Sequence, residues 1–198
     1  MILKQPYKIG LTGGIGSGKT TISQIIKTLQ IPVFSSDVVA KELYKDQYII
    51  SVLKKKFGSE IFNGESVELK KLSQIVFNND HHLNTLNSII HPKVLKNFND
   101  WYTKQTSKYI IKESALLFET DTANNLDKII LVHSPLKLRI SRIQKRDKRT
   151  KEEIEKIINS QVLFKNIKHK ADYIINNNEK KLLTPQIIKI HNKIMELY

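Results

Sequence analysis

The side chains and spacings best suited to chemistry lie in residues 13–20, which read GGIGSGKT and fit the pattern G-x-x-x-x-G-K-[ST]. Glycines in such a loop let successive backbone N–H groups point inward at one anion. Lys19 is predicted to reach the β- and γ-phosphates of a nucleotide, and the hydroxyl of Thr20 is predicted to bind Mg²⁺. The stretch therefore predicts a loop that binds nucleotide phosphates.

The sequence around this loop supports the same interpretation. Residues 7–12 have the composition of a short buried strand, and apolar residues repeat at helical spacing from Ile22 to Leu29. The start of that helix would add its unpaired N–H groups and its positive dipole end to the anion site. This agreement disfavours a flexible loop with a chance lysine, and no three glycines have the G-x-G-x-x-G spacing of a dinucleotide-binding loop. The residues predicted to contact the nucleotide here are Thr12, Gly13, Gly14, Ile15, Gly16, Ser17, Gly18, Lys19, Thr20 and Thr21.

Two carboxylates stand at the ends of stretches that have the composition of strands. Asp37 ends the second such stretch, residues 31–37, and Glu113 ends the third, residues 109–113. The carboxyl ends of parallel strands face the ligand crevice in open α/β sheets. Asp37 is therefore either a catalytic carboxylate or the N-cap of a helix over residues 38–44. Glu113 is predicted to hold Mg²⁺ through a water molecule or to orient the nucleophile.

Three arginines share one face of a predicted helix. Arg139, Arg142 and Arg146 stand at positions i, i+3 and i+7, and their like charges repel unless an anion lies between them. Arginine also matches phosphate oxygens in a bidentate manner. A second helix begins at a capping box, Thr150-Lys151-Glu152-Glu153. We predict a lid over residues 139–160, and a solvated basic face is the alternative.

The remaining patterns indicate an α/β fold. Two further strands are predicted over residues 128–133 and 171–175, and the first of these is continuous in apolar residues, as in a strand that is covered on both sides. Residues 46–106 instead show helical spacing, which predicts a helical insertion in a single domain whose core is residues 1–45 and 107–198.

Within the insertion, three dipeptides indicate interruptions. Phe57-Gly58 predicts the end of a helix, Asn63-Gly64 predicts a turn, and His91-Pro92 predicts a break in the helical pattern.

The composition restricts the class of protein. The chain has 198 residues and a formal net charge of +14, with 33 Lys and Arg against 19 Asp and Glu. Such a charge favours anionic partners, but the lysines are scattered rather than gathered into a stripe, so we do not predict nucleic acid as the main partner. The absence of cysteine excludes disulfides and thiolate metal sites. Without a leader or a long apolar run, the chain is expected to be soluble, cytoplasmic and independent of membranes.

Taken in order along the chain, these features resemble the dephospho-CoA kinase family. The resemblance covers nearly the whole chain and rests on the following stretches and residues: residues 9–20, Asp37 with Ala40, Phe57-Gly58, Val76-Phe77, His91-Pro92, Leu116-Leu117-Phe118-Glu119, Arg142, Arg146-Asp147, Gln161, Ala171-Asp172 and Asn176. It implies a P-loop NTPase fold, with a five-stranded parallel sheet, helices on both faces, a helical substrate-binding insertion and a lid.

The resemblance also implies a reaction. The family moves the γ-phosphoryl group of ATP, with Mg²⁺, to the ribose 3′-hydroxyl of dephospho-CoA. By position, Asp37 resembles the acid that accepts the hydroxyl proton, and Arg142 and Arg146 resemble the lid arginines. Beyond these, the resemblance implies that Asn176 contacts the nucleotide. It implies substrate contacts for Asp37, Phe57, His91, Leu117 and Glu119.

Three positions depart from the family's pattern. Ser35 stands where the family has a first aspartate beside Asp37, and Glu113-Ser114-Ala115 replaces Asp-x-Pro. Leu69 replaces an arginine that is common in the helical part.

Other functions stay open at this point. They are a kinase for another small hydroxyl substrate, of the nucleoside monophosphate or shikimate type, and a nucleic-acid-binding NTPase. We expect a monomer or a weak homo-oligomer.

Overall fold

The computed structural model describes residues 5–118, 122–147, 150–159, 161 and 164–197. The chain divides into two compact units. The first unit is Met1–Ser35 with Lys104–Tyr198, and the second is Ser36–Thr103. The second unit overlaps the predicted insertion over residues 46–106 and also contains Asp37.

Five strands of the first unit form a parallel sheet, and two short strands of the second unit form a hairpin. In chain order the strands of the described residues are β1 (Tyr7–Thr12), β2 (Val33–Ser35), β3 (Phe62–Asn63), β4 (Ser66–Val67), β5 (Tyr109–Glu113), β6 (Lys128–His133) and β7 (Tyr173–Asn176). The sheet has the order β2-β5-β1-β6-β7. The predicted P-loop fold, with a five-stranded parallel sheet and helices on both faces, is confirmed.

The helices occupy the stretches between and after these strands. In chain order they are α1 (Lys19–Thr28), α2 (Ser36–Leu43), α3 (Gln47–Phe57), α4 (Leu69–Phe77), α5 (Asp80–Tyr102), α6 (Leu136–Asp147), α7 (Lys151–Asn159), α8 (Phe164–Ile167) and α9 (Leu183–Glu196). Two 3₁₀ helices span Thr122–Asn125 and Lys168–Lys170. In the described part of the chain, no helix has the length and apolar character needed to cross a membrane.

The main core of the first unit lies between one face of the sheet and the helices α1 and α9. Each helix presents apolar residues at helical spacing, such as Ile22 and Ile26 on α1 and Ile187 and Ile194 on α9. These residues pack against alternate strand residues such as Ile9, and burial of this apolar surface stabilises the position of β1 relative to α1. The loop between β1 and α1 therefore has two fixed ends.

The opposite face of β1 is packed closely at Gly10. A Cβ atom added to Gly10 would lie 2.7 Å from Cδ1 of Leu126 and 2.8 Å from Cδ2 of Leu117. Because Leu117 is fully buried, that side chain has little room to move away. Close packing therefore explains the glycine at this point of the strand.

The second unit is mainly helical, as predicted for the insertion, but it differs in two details. The helix α5 continues through Pro92, so the predicted break at His91-Pro92 is wrong. Proline removes one N–H and one hydrogen bond, and packing against α2 and α4 outweighs that loss. The strands β3 and β4, which sequence periodicity missed because each has two residues, pair around the predicted turn at Asn63-Gly64.

The close packing at Gly10 gives a first prediction. We expect Gly10→Ala to lower the free energy of unfolding by about 1–3 kcal/mol, because the new methyl group overpacks a tight contact. Chemical denaturation measures the change. Leu126→Ala in the same chain should recover part of the loss, and equal stability of Gly10→Ala and the unsubstituted protein would contradict the packing argument.

Candidate active site

The predicted phosphate loop joins β1 to α1, as its pattern requires. Gly18 is the N-cap residue of α1 and has a left-handed backbone, with φ 95° and ψ 24°. Residues with a side chain rarely adopt that conformation, so glycine is the residue that fits. The N–H of Ser17 donates to the carbonyl of Gly14 at 3.1 Å, which closes a tight turn at the tip of the loop.

Lys19 folds back across this loop. Its Nζ donates to the carbonyl of Gly13 at 2.7 Å, and the residue is only 8% exposed. Thr20 and Thr21 are exposed in the first turn of α1, whereas Thr12 is buried at the end of β1. The structure therefore keeps an ammonium group, a hydroxyl group and the N-terminus of a helix together at one loop, which is an arrangement suited to phosphate.

Two arginines of α6 donate to carbonyl groups of the loop. Nε of Arg139 donates to the carbonyl of Ile15 at 2.8 Å, and Nη1 of Arg142 donates to the carbonyl of Gly16 at 3.4 Å. Burial lowers the pKa of Arg139, but arginine stays protonated in proteins and therefore remains a cation at neutral pH. The arginine face predicted from the sequence is thus directed at the phosphate loop over at least one turn.

Arg142 also bonds to residues that follow the strands β6 and β7. Its guanidinium donates to Oγ of Ser134 at 3.1 Å and to Oδ1 of Asn177 at 3.2 Å, and it forms an ion pair with Glu179 at 2.9 Å. Asn177 in turn donates through Nδ2 to the carbonyl of Ser17 at 2.8 Å. Arg142 and Asn177 therefore connect the loop to the segment after β7.

Asn176, which is predicted to contact the nucleotide, makes its hydrogen bonds through the backbone to a residue of α9. Its backbone N–H donates to Oε1 of Gln186 at 2.9 Å, and its carbonyl accepts from Nε2 of the same glutamine at 3.1 Å. The side chain that reaches the phosphate loop belongs to the next residue, Asn177. A nucleotide contact by Asn176 stays a prediction.

Arg146 lies at the end of α6 and forms a bidentate ion pair with its neighbour. Nε and Nη2 donate to the two carboxylate oxygens of Asp147 at 2.6 and 2.8 Å, and this pairing raises the pKa of Arg146. The capping box at the start of α7 is confirmed, because Thr150 and Glu153 exchange hydrogen bonds at 3.0 and 3.2 Å. The lid over residues 139–160 stays a prediction, since positions 148, 149 and 160 lie outside the described residues.

Glu113 ends β5 and is buried. Its Oε2 accepts from Oγ of Ser23 on α1 at 2.9 Å, so the carboxylate is fixed on the α1 side of the sheet. The hydroxyl of Thr20 makes no hydrogen bond to any residue that the structure describes, which suits a metal ligand. The described residues contain no cluster of three acidic or imidazole ligands. The hydroxyl of Thr20 and the carboxylate of Glu113 are oxygen ligands of the kind that Mg²⁺ takes beside phosphate and water, and Mg²⁺ binding here stays a prediction.

Asp37 belongs to the second unit and lies in the first turn of α2. The alternative prediction, an N-cap for a helix over residues 38–44, is wrong because the helix begins at Ser36. The residue is exposed, and its carboxylate has no partner among the described residues. A free carboxylate of this kind can accept a proton from a bound hydroxyl group.

Two other predicted substrate residues also lie in the second unit. His91 is half-buried on α5, and burial lowers its pKa, which favours the neutral imidazole at pH 7. Phe57 is buried, and its ring lies edge-to-face against His82 with centroids 5.9 Å apart. Phe57 thus packs within the second unit, and substrate contacts by Phe57 and His91 stay predictions.

The remaining two predicted substrate residues follow β5. Leu117 has no exposed surface and packs beside Gly10 in the core, and its contact with a substrate stays a prediction. Glu119 lies outside the described residues.

The sequence did not single out Gln161 or Asn177 as loop contacts. Oε1 of Gln161 accepts from the N–H of Ile15 at 2.8 Å. Asn177 could have been found by its place just after a parallel strand, the rule that selected Asp37 and Glu113. Gln161 is part of the family resemblance, but it does not follow a strand, since it lies two residues after the end of α7.

Comparison with known proteins gives a consistent result. The profile of the dephospho-CoA kinase family matches residues 7–182. A dephospho-CoA kinase from Fusobacterium nucleatum is 40% identical over 172 residues, which cover 86% of this chain and 89% of that protein. A crystal structure from Thermus thermophilus has a TM-score of 0.85 at 25% identity, covering 98% of this chain and 100% of the other. The dephospho-CoA kinase structure from Campylobacter jejuni has a TM-score of 0.68 at 26% identity, with 96% and 97% covered. With a matched phosphate loop and a profile that spans most of its length, this chain belongs to the dephospho-CoA kinase family.

Proposed function

We propose that this protein transfers the γ-phosphoryl group of ATP to the ribose 3′-hydroxyl group of dephospho-CoA, giving coenzyme A and ADP. The observation that carries the proposal is the phosphate loop, whose lysine, glycines and helix start are arranged for a nucleotide in a chain of this family. The proposed substrates are both small molecules, and the proposed compartment is the cytoplasm.

The proposed chemistry depends mainly on positioning and positive charge. Negative charge spreads over the transferring phosphoryl oxygens in the transition state, so cations around it lower the barrier. Lys19, Arg142 and Arg146 supply those charges in this proposal. When bound, Mg²⁺ would neutralise phosphate charge, and we assign Thr20 as its direct ligand and Glu113 as a ligand through water.

Asp37 is the proposed base. Its carboxylate accepts the proton of the ribose hydroxyl as the oxygen attacks the γ-phosphorus, and ADP leaves on the opposite side. The family usually has a first aspartate at the position of Ser35, two residues before Asp37, so in this chain Asp37 is the acid that remains of that pair.

Acceptor specificity separates this proposal from its alternatives. ADP release coupled to NADH oxidation should accelerate with dephospho-CoA, and it should respond much less to AMP or shikimate. A preference for AMP or shikimate would support the alternative kinases, and ATPase activity stimulated by nucleic acid but not by dephospho-CoA would support a nucleic-acid-dependent NTPase.

The role of Asp37 gives a second prediction. We expect Asp37→Asn to lower kcat by about 10²–10⁴, because the amide cannot accept the hydroxyl proton. Affinity for ATP, measured by calorimetry, should stay within about twofold, as for an exposed position. Glu42→Gln is the matched control, because it removes another exposed carboxylate from α2. Near-normal turnover of Asp37→Asn would exclude this residue as the base.

Arg146 gives a third prediction. We expect Arg146→Ala to reduce kcat by about 10³, by analogy with arginines that stabilise phosphoryl transfer. The free energy of unfolding should change by less than about 1 kcal/mol, because the ion pair with Asp147 is largely exposed on the arginine side. Lys145→Ala removes a neighbouring exposed cation and serves as the control. Equal kcat values for the two variants would rule out a specific role for Arg146.

A further inference from the structure

We infer that Arg139 is a positioning residue, which holds the phosphate loop in the arrangement that binds ATP without itself contacting the nucleotide. The inference rests on the proposed use of ATP and adds a residue to that site. Arg139 stands three residues before Arg142 on the same face of α6, but its contacts are of a different kind.

Arg139 and Gln161 together engage both backbone groups of Ile15. The carbonyl of Ile15 accepts from Nε of Arg139 at 2.8 Å, and its N–H donates to Oε1 of Gln161 at 2.8 Å. Nη2 of Arg139 lies 3.5 Å from the same glutamine oxygen, so the three residues form a closed set of hydrogen bonds. Each of the two peptide groups that meet at Ile15 is thereby restrained.

The orientation of the Ile15 carbonyl determines the orientation of the next backbone donor along the loop, the N–H of Gly16. In a planar trans peptide, the C=O of one residue and the N–H of the following residue point in opposite directions. With the carbonyl of Ile15 directed to Nε of Arg139, the N–H of Gly16 points away from that guanidinium group. The turn formed by Ser17 and Gly14 then continues the loop towards Lys19. Arg139 thus sets the orientation of a backbone donor that an anion on the opposite side can use.

Packing fixes Arg139 in this place. A Cβ atom added to Gly14 would lie 2.6 Å from Cζ of Arg139, so the guanidinium group rests directly on the glycine backbone. The side chain of Ile15 packs against an apolar cluster of α6 and α7, which consists of Ile143, Ile154 and Ile158. A flat guanidinium group with several fixed donors suits this space, whereas the ammonium group of lysine is a point charge on a flexible chain.

Gly14 offers a way to displace Arg139 without removing it. Gly14 is not among the residues with positive φ, so alanine fits its backbone, but the new methyl group collides with the guanidinium group. We therefore expect Gly14→Ala and Arg139→Ala to act through the same interaction. A double-mutant cycle tests this expectation, because variants that remove one interaction have effects that do not add.

The experiment measures binding of ADP and ATP by calorimetry for the full chain and its variants. We expect Arg139→Ala and Gly14→Ala each to raise the Kd by about 10-fold or more, as for loss of a charged hydrogen bond. The double variant should bind about as weakly as Arg139→Ala alone. Arg139→Lys should not restore binding, and the KM for dephospho-CoA should stay within about twofold of its original value.

Lys137→Ala is the matched control, because it removes an exposed cation from the same helix. It should leave the Kd within about twofold. Additive effects of Gly14→Ala and Arg139→Ala, or full rescue by Arg139→Lys, would overturn the positioning role. ADP and ATP affinity that is normal in Arg139→Ala would overturn it as well, whereas tight ATP binding with no response to dephospho-CoA would contradict only the proposed acceptor.

Discussion

A phosphate loop works only if its peptide groups keep one arrangement, and the first unit of this protein is built around that constraint. The glycines at positions 13, 16 and 18 have positive φ and lose much conformational freedom when the loop is ordered. The loop has few side chains of its own with which to offset that cost. Hydrogen bonds order the loop: Arg139 and Asn177 donate to its carbonyl groups, and Gln161 accepts from the N–H of Ile15.

The helices α6 and α7 also help to hold the loop peptides in one arrangement. Ile15 inserts its side chain among the apolar residues of both helices, and its backbone is bonded to Arg139 and Gln161. Apolar burial and hydrogen bonding thus act on one residue at the tip of the loop. The parts of α6 and α7 that contact Ile15 cannot move without disturbing the phosphate-binding peptides. Any closure of the predicted lid is therefore expected in the parts of the two helices that lie farther from Ile15.

The sequence predicts those parts of the structure that depend on local patterns. β1, β5 and β6 have the predicted bounds because each contains a short cluster of apolar residues that is followed by a polar one. The phosphate loop follows from its spacing. The sequence predicts a break at Pro92 because proline is unfavourable inside a helix. Packing of α5 against α2 and α4 nevertheless keeps the helix continuous. Gln161 could not be predicted as a loop contact, since its place depends on how α7 packs and not on any spacing in the chain.

The three arginines of α6 belong to one sequence pattern but make different contacts in the structure. The side chain of Arg139 donates to the loop carbonyl of Ile15 and lies near Oε1 of Gln161, and so acts on the shape of the site. Arg142 joins the loop to Ser134, Asn177 and Glu179, which makes it both a structural link and a source of charge. Arg146 bonds to its neighbour Asp147 and can turn towards phosphate without loss of a loop contact. Along α6 the contacts with the phosphate loop thus decrease from Arg139 to Arg146, which leaves the last arginine the one whose movement would disturb the loop least.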